Sequence, residues 1–229
     1  MNKISLLVLL ILISIKASAI DLSTPENKVS CPELGNSFEC ALKIEKSIIA
    51  LNKGIISRKN ESLEIVSAAG DIHHIKENKN KDDSEATVHV LAVGVSDDKR
   101  FVSLYVQYFE GNSWSIFDRK TAVLTPVCGF PMFSPENNYV AFSEMNPYTE
   151  MTPTCLQVYQ VKKNEIRKVF EASTENIWWP EKTKWVTKEK LIFKRAEWNP
   201  SRSTKGQPDF IFKDYSLQLD NGAWKMVKN

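Results

Sequence analysis

The chain has 229 residues with 30 Lys+Arg against 28 Asp+Glu, and it is 42% hydrophobic and 25% charged. That composition is ordinary for a globular protein and argues against disorder over most of the length. The balance of charge argues against a nucleic-acid or polyanion binder, which carries a basic excess, although it leaves room for a local patch.

The first element in the chain is an address. Lys3 supplies a positive start, Ile4 to Ile15 is apolar apart from Ser5 and Ser14, and Ala17-Ser18-Ala19 is a small-residue cleavage site. Together these read as a secretory signal peptide over residues 1–19, cut after Ala19. The apolar run is too short to span a bilayer core of roughly 30 Å, and no later run is longer. The mature protein is therefore expected to begin at Ile20, to be soluble and to occupy an oxidising compartment. The short positive region points to a bacterial periplasm. Cleavage removes Lys3 and Lys16 and leaves a formally neutral chain of 210 residues, enough for one large or two small domains.

Four cysteines remain, Cys31, Cys40, Cys128 and Cys155. An even count in an exported protein reads as two disulfides, with three possible pairings. Cys31–Cys40 and Cys128–Cys155 are favoured because each closes a local loop. No C-x-x-C pair supports zinc, and the first cysteine lies too far from the cleavage site for lipid attachment.

Residues 20–54 are expected to form an N-terminal arm and one α-helix. Ile20 to Ser30 is polar and aperiodic. Asn36 can N-cap a helix with Glu39 three residues on. Ala41, Leu42, Ile44, Ile48, Ile49 and Leu51 recur at helical spacing, and Gly54 can end the element. A bond from Cys31 to Cys40 would tether this helix.

Residues 55–229 switch to strand patterns. Leu63–Val66, Val88–Val95, Phe101–Phe109, Trp114–Phe117, Leu156–Val161, Lys190–Arg195, Phe210–Leu219 and Trp224–Val227 are strand candidates. Glu110-Gly111-Asn112 and Asp220-Asn221-Gly222 read as hairpin turns, and Lys76 to Glu85 reads as a solvated charged loop. Four windows align: Ile56–Ile65, Val95–Leu104, Phe133–Phe142 and, one residue shorter, Trp185–Phe193. Each runs from an apolar residue through a polar turn into an apolar strand, and their starts lie 39, 38 and 52 residues apart. A repeat of about 40 residues built on a hairpin is what four-stranded propeller blades produce.

The window Phe133-Ser134-Pro135-Glu136-Asn137-Asn138-Tyr139-Val140-Ala141-Phe142-Ser143 resembles the F-S-P-D-G-K-x-I-A-F signature of TolB-type and dipeptidyl-peptidase-type β-propeller blades. Glu136-Asn137 stands at the usual Asp-Gly. The match is good here, partial in Val95–Leu104 and weak in the other two windows. The resemblance implies a mainly β, propeller-like array of about four antiparallel blades or hairpin units, whether a closed ring, an open array or a curved sheet. It carries over no catalytic residue.

Candidate chemistry is sparse. His73, His74 and His89 are the three histidines. Adjacent His73 and His74 point to opposite faces of a strand, and a metal site would need partners such as Asp71 or Glu85. No G-x-S-x-G elbow, P-loop, G-x-G-x-x-G or H-E-x-x-H occurs, and Asp97-Asp98 reads as turn chemistry. No metal, cofactor or catalytic residue is expected. Trp178, Trp179, Trp185 and Trp198 cluster within 21 residues. Adjacent Trp178 and Trp179 in an extended segment cannot both enter one core, so one, assigned as Trp179, is expected to be exposed, while Trp185 aligns with Phe133 as core. Two loops, Met145 to Thr154 and Glu197 to Pro208, are long and rich in Pro, Ser, Thr and Asn, as binding loops are. Tyr148 in the first and Arg202 in the second join Trp178, Trp179 and Trp198 as candidate binding residues. The expected role is that of a periplasmic, non-enzymatic binding protein for a macromolecular partner, either of the inhibitor or immunity type or an accessory factor of an envelope complex. The alternative is a cell-envelope hydrolase or carbohydrate-binding protein using the tryptophans.

Overall fold

The computed structural model describes residues 37–78, 87–109, 111–144, 155–172, 178–199, 201 and 209–229. The N-terminal arm with Cys31 and Asn36, most of the charged loop, the first candidate loop with Tyr148, and most of the second with Arg202 lie outside the described residues. Helical spacing of apolar residues gives α1 (Ser37–Leu51). Its inner face carries Ala41, Ile44, Glu45 and Ile48, all buried. Leu51, expected on that stripe, points outward instead. The Asn52 side chain donates to the Ile48 carbonyl at 2.8 Å, and Gly54 follows at φ 81°, a left-handed conformation that suits glycine at a helix end.

Among the described residues fifteen strands follow, every sheet an antiparallel meander in chain order. The first sheet has β1 (Ile56–Lys59), β2 (Ser62–Val66) and β3 (Ile72–Lys76). The second has β4 (His89–Val95), β5 (Phe101–Gln107), β6 (Asn112–Asp118) and β7 (Val123–Val127). The third has β8 (Phe130–Phe133), β9 (Tyr139–Glu144), β10 (Cys155–Val161) and β11 (Ile166–Ala172). The fourth has β12 (Trp178–Thr187), β13 (Lys190–Trp198), β14 (Phe210–Asp220) and β15 (Ala223–Lys228). The described residues are thus mainly β, with four antiparallel sheets of three or four strands and one α-helix.

Consecutive sheets bury their facing side chains in turn. Ile44, Ile48, Leu63 and Ile65 meet Leu91, Val93 and Leu104. Phe101 and Ile116 meet Val140 and Phe142. Ala141, Leu156 and Val158 meet Trp178, Leu191, Phe193 and Leu217. Each side chain of this size, fully buried, contributes about 1.5–3 kcal/mol relative to exposure.

All four aligned windows form the first hairpin of a sheet. In three of them the fifth residue has a left-handed backbone: Asn60 at φ 56°, Lys99 at 60° and Asn137 at 55°. Two share a side-chain device as well. Ser96 Oγ accepts from the Phe101 N–H at 2.9 Å, and Ser134 Oγ accepts from the Tyr139 N–H at 3.0 Å.

The last three of these hairpins point to one end of the molecule. Arg100 donates to the Lys162 carbonyl at 2.6 Å, the Val161 N–H donates to the Asn138 carbonyl at 2.9 Å, and Lys188 reaches Glu136 at 3.9 Å. The first sheet is reversed. Its β2–β3 turn sits at this hairpin end, because the Ala68 N–H donates to the Arg119 carbonyl at 2.6 Å, while its β1–β2 turn lies at the other end beside Glu77. The first window is therefore a similar hairpin in an inverted setting.

At the hairpin end Arg100 grips Asp118 with two bonds of 3.0 and 2.7 Å. Burial pushes the Asp118 carboxyl up. Hydrogen bonds from Arg100, the Lys120 N–H and Thr121, together with the Arg100 charge, outweigh it and hold the group below the usual carboxylate range. A depressed native pKa contributes stability that is complete above the unfolded value of about 3.9 and is lost as pH falls through the native one. Thermal melts at pH 7 and pH 3 are accordingly expected to differ more for the wild type than for Asp118→Asn. Equal acid sensitivity of the two proteins would contradict this account.

Candidate functional site

The end opposite the hairpins gathers the long connections. The β9–β10 and β13–β14 links, which contain the two loops singled out in the sequence, both leave from it, as does the β5–β6 turn. Large apolar side chains stand exposed there. Tyr108 and Phe109 are 44% and 55% accessible beside the β5–β6 turn, while Trp198, Ile211 and Phe212 are 57%, 43% and 49% accessible where β13 and β14 part. The β13–β14 register pairs Trp198 with Phe210 and Ala196 with Phe212, so Trp198 and Phe212 share one face of the sheet. That face is turned away from the core formed with the third sheet. Asn199 and Asp209 close the neck of the connection with a backbone bond of 2.9 Å and a side-chain bond of 3.2 Å.

Trp178 and Trp179 correct the expectation of a spare ring. They do face opposite sides of β12, but both sides are covered, and both residues are more than nine-tenths buried. Trp178 stacks on Phe193 at 5.9 Å, with the Arg195 guanidinium 4.9 Å from its ring centre. Trp179 meets Phe210 edge-on at 4.7 Å. A strand whose neighbours cover a ring on each side can accept adjacent tryptophans. Trp185, expected in the core, is partly buried and donates its indole N–H to the Met132 carbonyl at 2.8 Å. Of the named tryptophans, Trp198 is the exposed one.

The carboxylate that the register sets beside Trp178 is Glu197. Lys213 donates to it, and Arg195 Nε lies 2.8 Å away as an ion pair whose N–H is not aimed at the oxygen. The Lys213 hydrogen bond, helped by the charges of Arg195 and Lys213, outweighs burial and holds Glu197 below the usual range. An ionised, doubly paired carboxylate is suited to fixing strand ends rather than to giving up a proton. His73 packs on Phe117 at 5.3 Å, and His74 lies outward, 3.6 Å from Glu64. Among the described residues no group of His, Cys, Asp and Glu is placed to hold a metal ion, and no helix is long and apolar enough to cross a membrane.

The sequence reading missed Tyr108, Phe109, Ile211 and Phe212. The available signal was an aromatic pair directly preceding the Glu110-Gly111 turn, and a run of apolar residues at 210–212 too long for strict alternation.

No protein family matches the chain, and no curated protein sequence is significantly similar to it. Among solved structures, the N-terminal domain of Nup159 aligns with a TM-score of 0.33 and 13% identity, over 76% of this chain and 47% of that one. A study of two prolyl endopeptidases supplies another, with a TM-score of 0.32 and 12% identity, over 89% of this chain and 38% of that one. This chain spans less than half the length of either. At these scores neither likeness carries an argument, and the architecture rests on the strand pairing.

Proposed function

We propose that this is an exported, non-enzymatic binding protein of the bacterial periplasm, a propeller-like array of four blades that engages a macromolecular partner at its loop end. The observation that carries the reading is the asymmetry of the two ends. Tight charged hairpins occupy one. The other collects long connections and the exposed aromatic side chains Tyr108, Phe109, Trp198 and Phe212, with Ile211, whereas the large apolar residues exposed near the hairpins, Leu51, Ile72, Val123, Leu124 and Val186, are all aliphatic. Aromatic anchors surrounded by polar residues are the pattern of interface hot spots. A tether from Cys31 to the helix fits the disulfide-bonded state of Cys40. An inhibitor or immunity-type role and an accessory role in an envelope complex both use such a surface.

The test is a pull-down from periplasmic extract with tagged mature protein, its captured proteins identified by mass spectrometry, beside Trp198→Ala and Phe109→Ala. Each variant is expected to weaken capture more than tenfold, about 1.4 kcal/mol, with little change in melting because these rings are exposed. Capture that both variants retain in full would overturn the assignment. The exposed Trp198 ring beside Asn199 and Asp209 favours carbohydrate as a second reading. Calorimetric binding of peptidoglycan fragments that Trp198→Ala abolishes, without protein capture, would select it.

A further inference from the structure

We infer that the partner presents a carboxylate-rich protein surface to the outer face of the fourth sheet; this rests on the binding role proposed above and names the chemistry of what binds. The formally neutral mature chain is polarised. Residues 178–229 carry eleven Lys+Arg against six Asp+Glu, whereas residues 20–177 carry seventeen against twenty-two. The strand register concentrates part of that excess. Lys184, Lys190, Lys194 and Lys225 lie on the same sheet face as Trp198, Phe212 and Val227, opposed by the three carboxylates Glu181, Asp214 and Asp220.

Asp214 is held by Lys194 at 3.0 Å, and Lys225 reaches Asp220 at 2.6 Å. Lys184 and Lys190 enter no ion pair among the described residues. The face thus combines an exposed aromatic end with a lysine-bearing remainder. An apolar centre with a charged rim is how protein interfaces are built, and complementary rim charge steers association. Phosphate recognition by contrast favours the arginine fork. The described arginine of this sheet, Arg195, is engaged with Trp178, Tyr215 and Glu197.

The experiment compares the mature protein with Lys184→Glu/Lys190→Glu, using poly-L-glutamate as the acidic polypeptide probe at low and physiological salt. Phosphatidylglycerol vesicles and duplex DNA serve as competing anionic surfaces, and sedimentation tests for a second copy. Poly-L-glutamate binding that weakens at least tenfold in the double variant, with unchanged melting, and that falls with salt supports the proposal. Tighter binding to vesicles or DNA, self-association removed by the double variant, or no poly-L-glutamate binding by the wild type overturns it. The two levels separate cleanly. Partner capture that Trp198→Ala abolishes but the lysine variant and salt leave untouched keeps the binding role and removes the acidic partner. Absence of any capture removes the binding role, and the polyglutamate arm still judges the surface.

Discussion

Glu45→Ala is expected to lower the free energy of unfolding by about 3–5 kcal/mol, the cost of stripping one partner from a buried ion pair. Glu45 is buried on the inner face of α1, and Arg58 on β1 meets it with two bonds of 2.8 and 2.7 Å. Arg58 also donates to Glu77 at 2.9 Å and to the Val90 carbonyl at 2.6 Å. Glu45 Oε1 accepts from the Ala92 N–H at 2.9 Å. Val90 and Ala92 lie on β4, the first strand of the second sheet. The two side chains therefore occupy the place of a neighbouring strand, satisfying one carbonyl and one N–H that burial would otherwise leave unpaired. Burial pushes the Arg58 guanidinium down, while the hydrogen bonds and charges of Glu45 and Glu77 outweigh it and hold it above its ordinary value. Alanine at 45 removes the acceptor for three donors at once. Urea unfolding of Glu45→Ala, Arg58→Ala and the double variant checks this. The double variant is expected to cost less than the sum of the singles, because the second deletion removes a charge that has already lost one of its two carboxylate partners. A single-variant loss below about 1 kcal/mol would mean that water reaches the cluster and that α1 is held by its apolar face alone.

That clamp was invisible in the sequence, and the reason is physical. Glu45 falls on the helical stripe among Ala41, Ile44 and Ile48, where periodicity counts it as an interruption. Arg58 sits in an aligned window as turn-flanking polarity. Only the three-dimensional juxtaposition of helix, first sheet and β4 turns two unremarkable charges into one buried unit. The hairpins were legible because their information is local. The turn residues Asn60, Lys99 and Asn137 sit at one position of the aligned windows, and all three adopt the left-handed backbone. The inversion of the first sheet was not legible, since a hairpin pattern states that two strands pair but not which end of the molecule they face. Strands β7 and β11 were missed for a related reason, and β3 and β12 were read only as extended stretches around His73-His74 and Trp178-Trp179. Ile72–Lys76, Val123–Val127 and Ile166–Ala172 are half-exposed or outer strands with weak alternation, and Trp178–Thr187 carries a bulge near Lys182, at φ 53°. The buried state of Trp179 depended on contacts such as Phe210, on the next-but-one strand, that no local pattern announces.

Replacing Cys128 and Cys155 by serine is expected to lower stability by about 3–4 kcal/mol, the chain-entropy value for a loop of this size. The bond joins residues 27 apart, with Cα atoms 6.1 Å from each other. It ties the β7–β8 connection to the first residue of β10, at the loop end, where the β9–β10 connection leaves Glu144 and returns at Cys155. Those two residues are already paired across the ladder, so the disulfide does not serve to close that connection. It fixes the passage from the second sheet to the third against the strand at which the connection returns. The neighbouring backbone is equally constrained: a Cβ on Gly129 would stand 2.5 Å from the Ser143 carbonyl carbon and oxygen, a clash with main chain that cannot swing aside. Trp114 adds a bond of 2.8 Å to Glu144 from the second sheet. The native contacts around Cys128 thus hold their geometry without the sulfurs, and the loss is expected to fall mainly on the unfolded ensemble. Calorimetry and denaturant unfolding of Cys128→Ser/Cys155→Ser against wild type, with and without reductant, measure it. The expected result is a larger drop on reduction for the wild type than for the variant, in which only the disulfide of Cys40 is left to reduce. A variant as stable as the oxidised wild type would show that the sheet packing alone locks this junction.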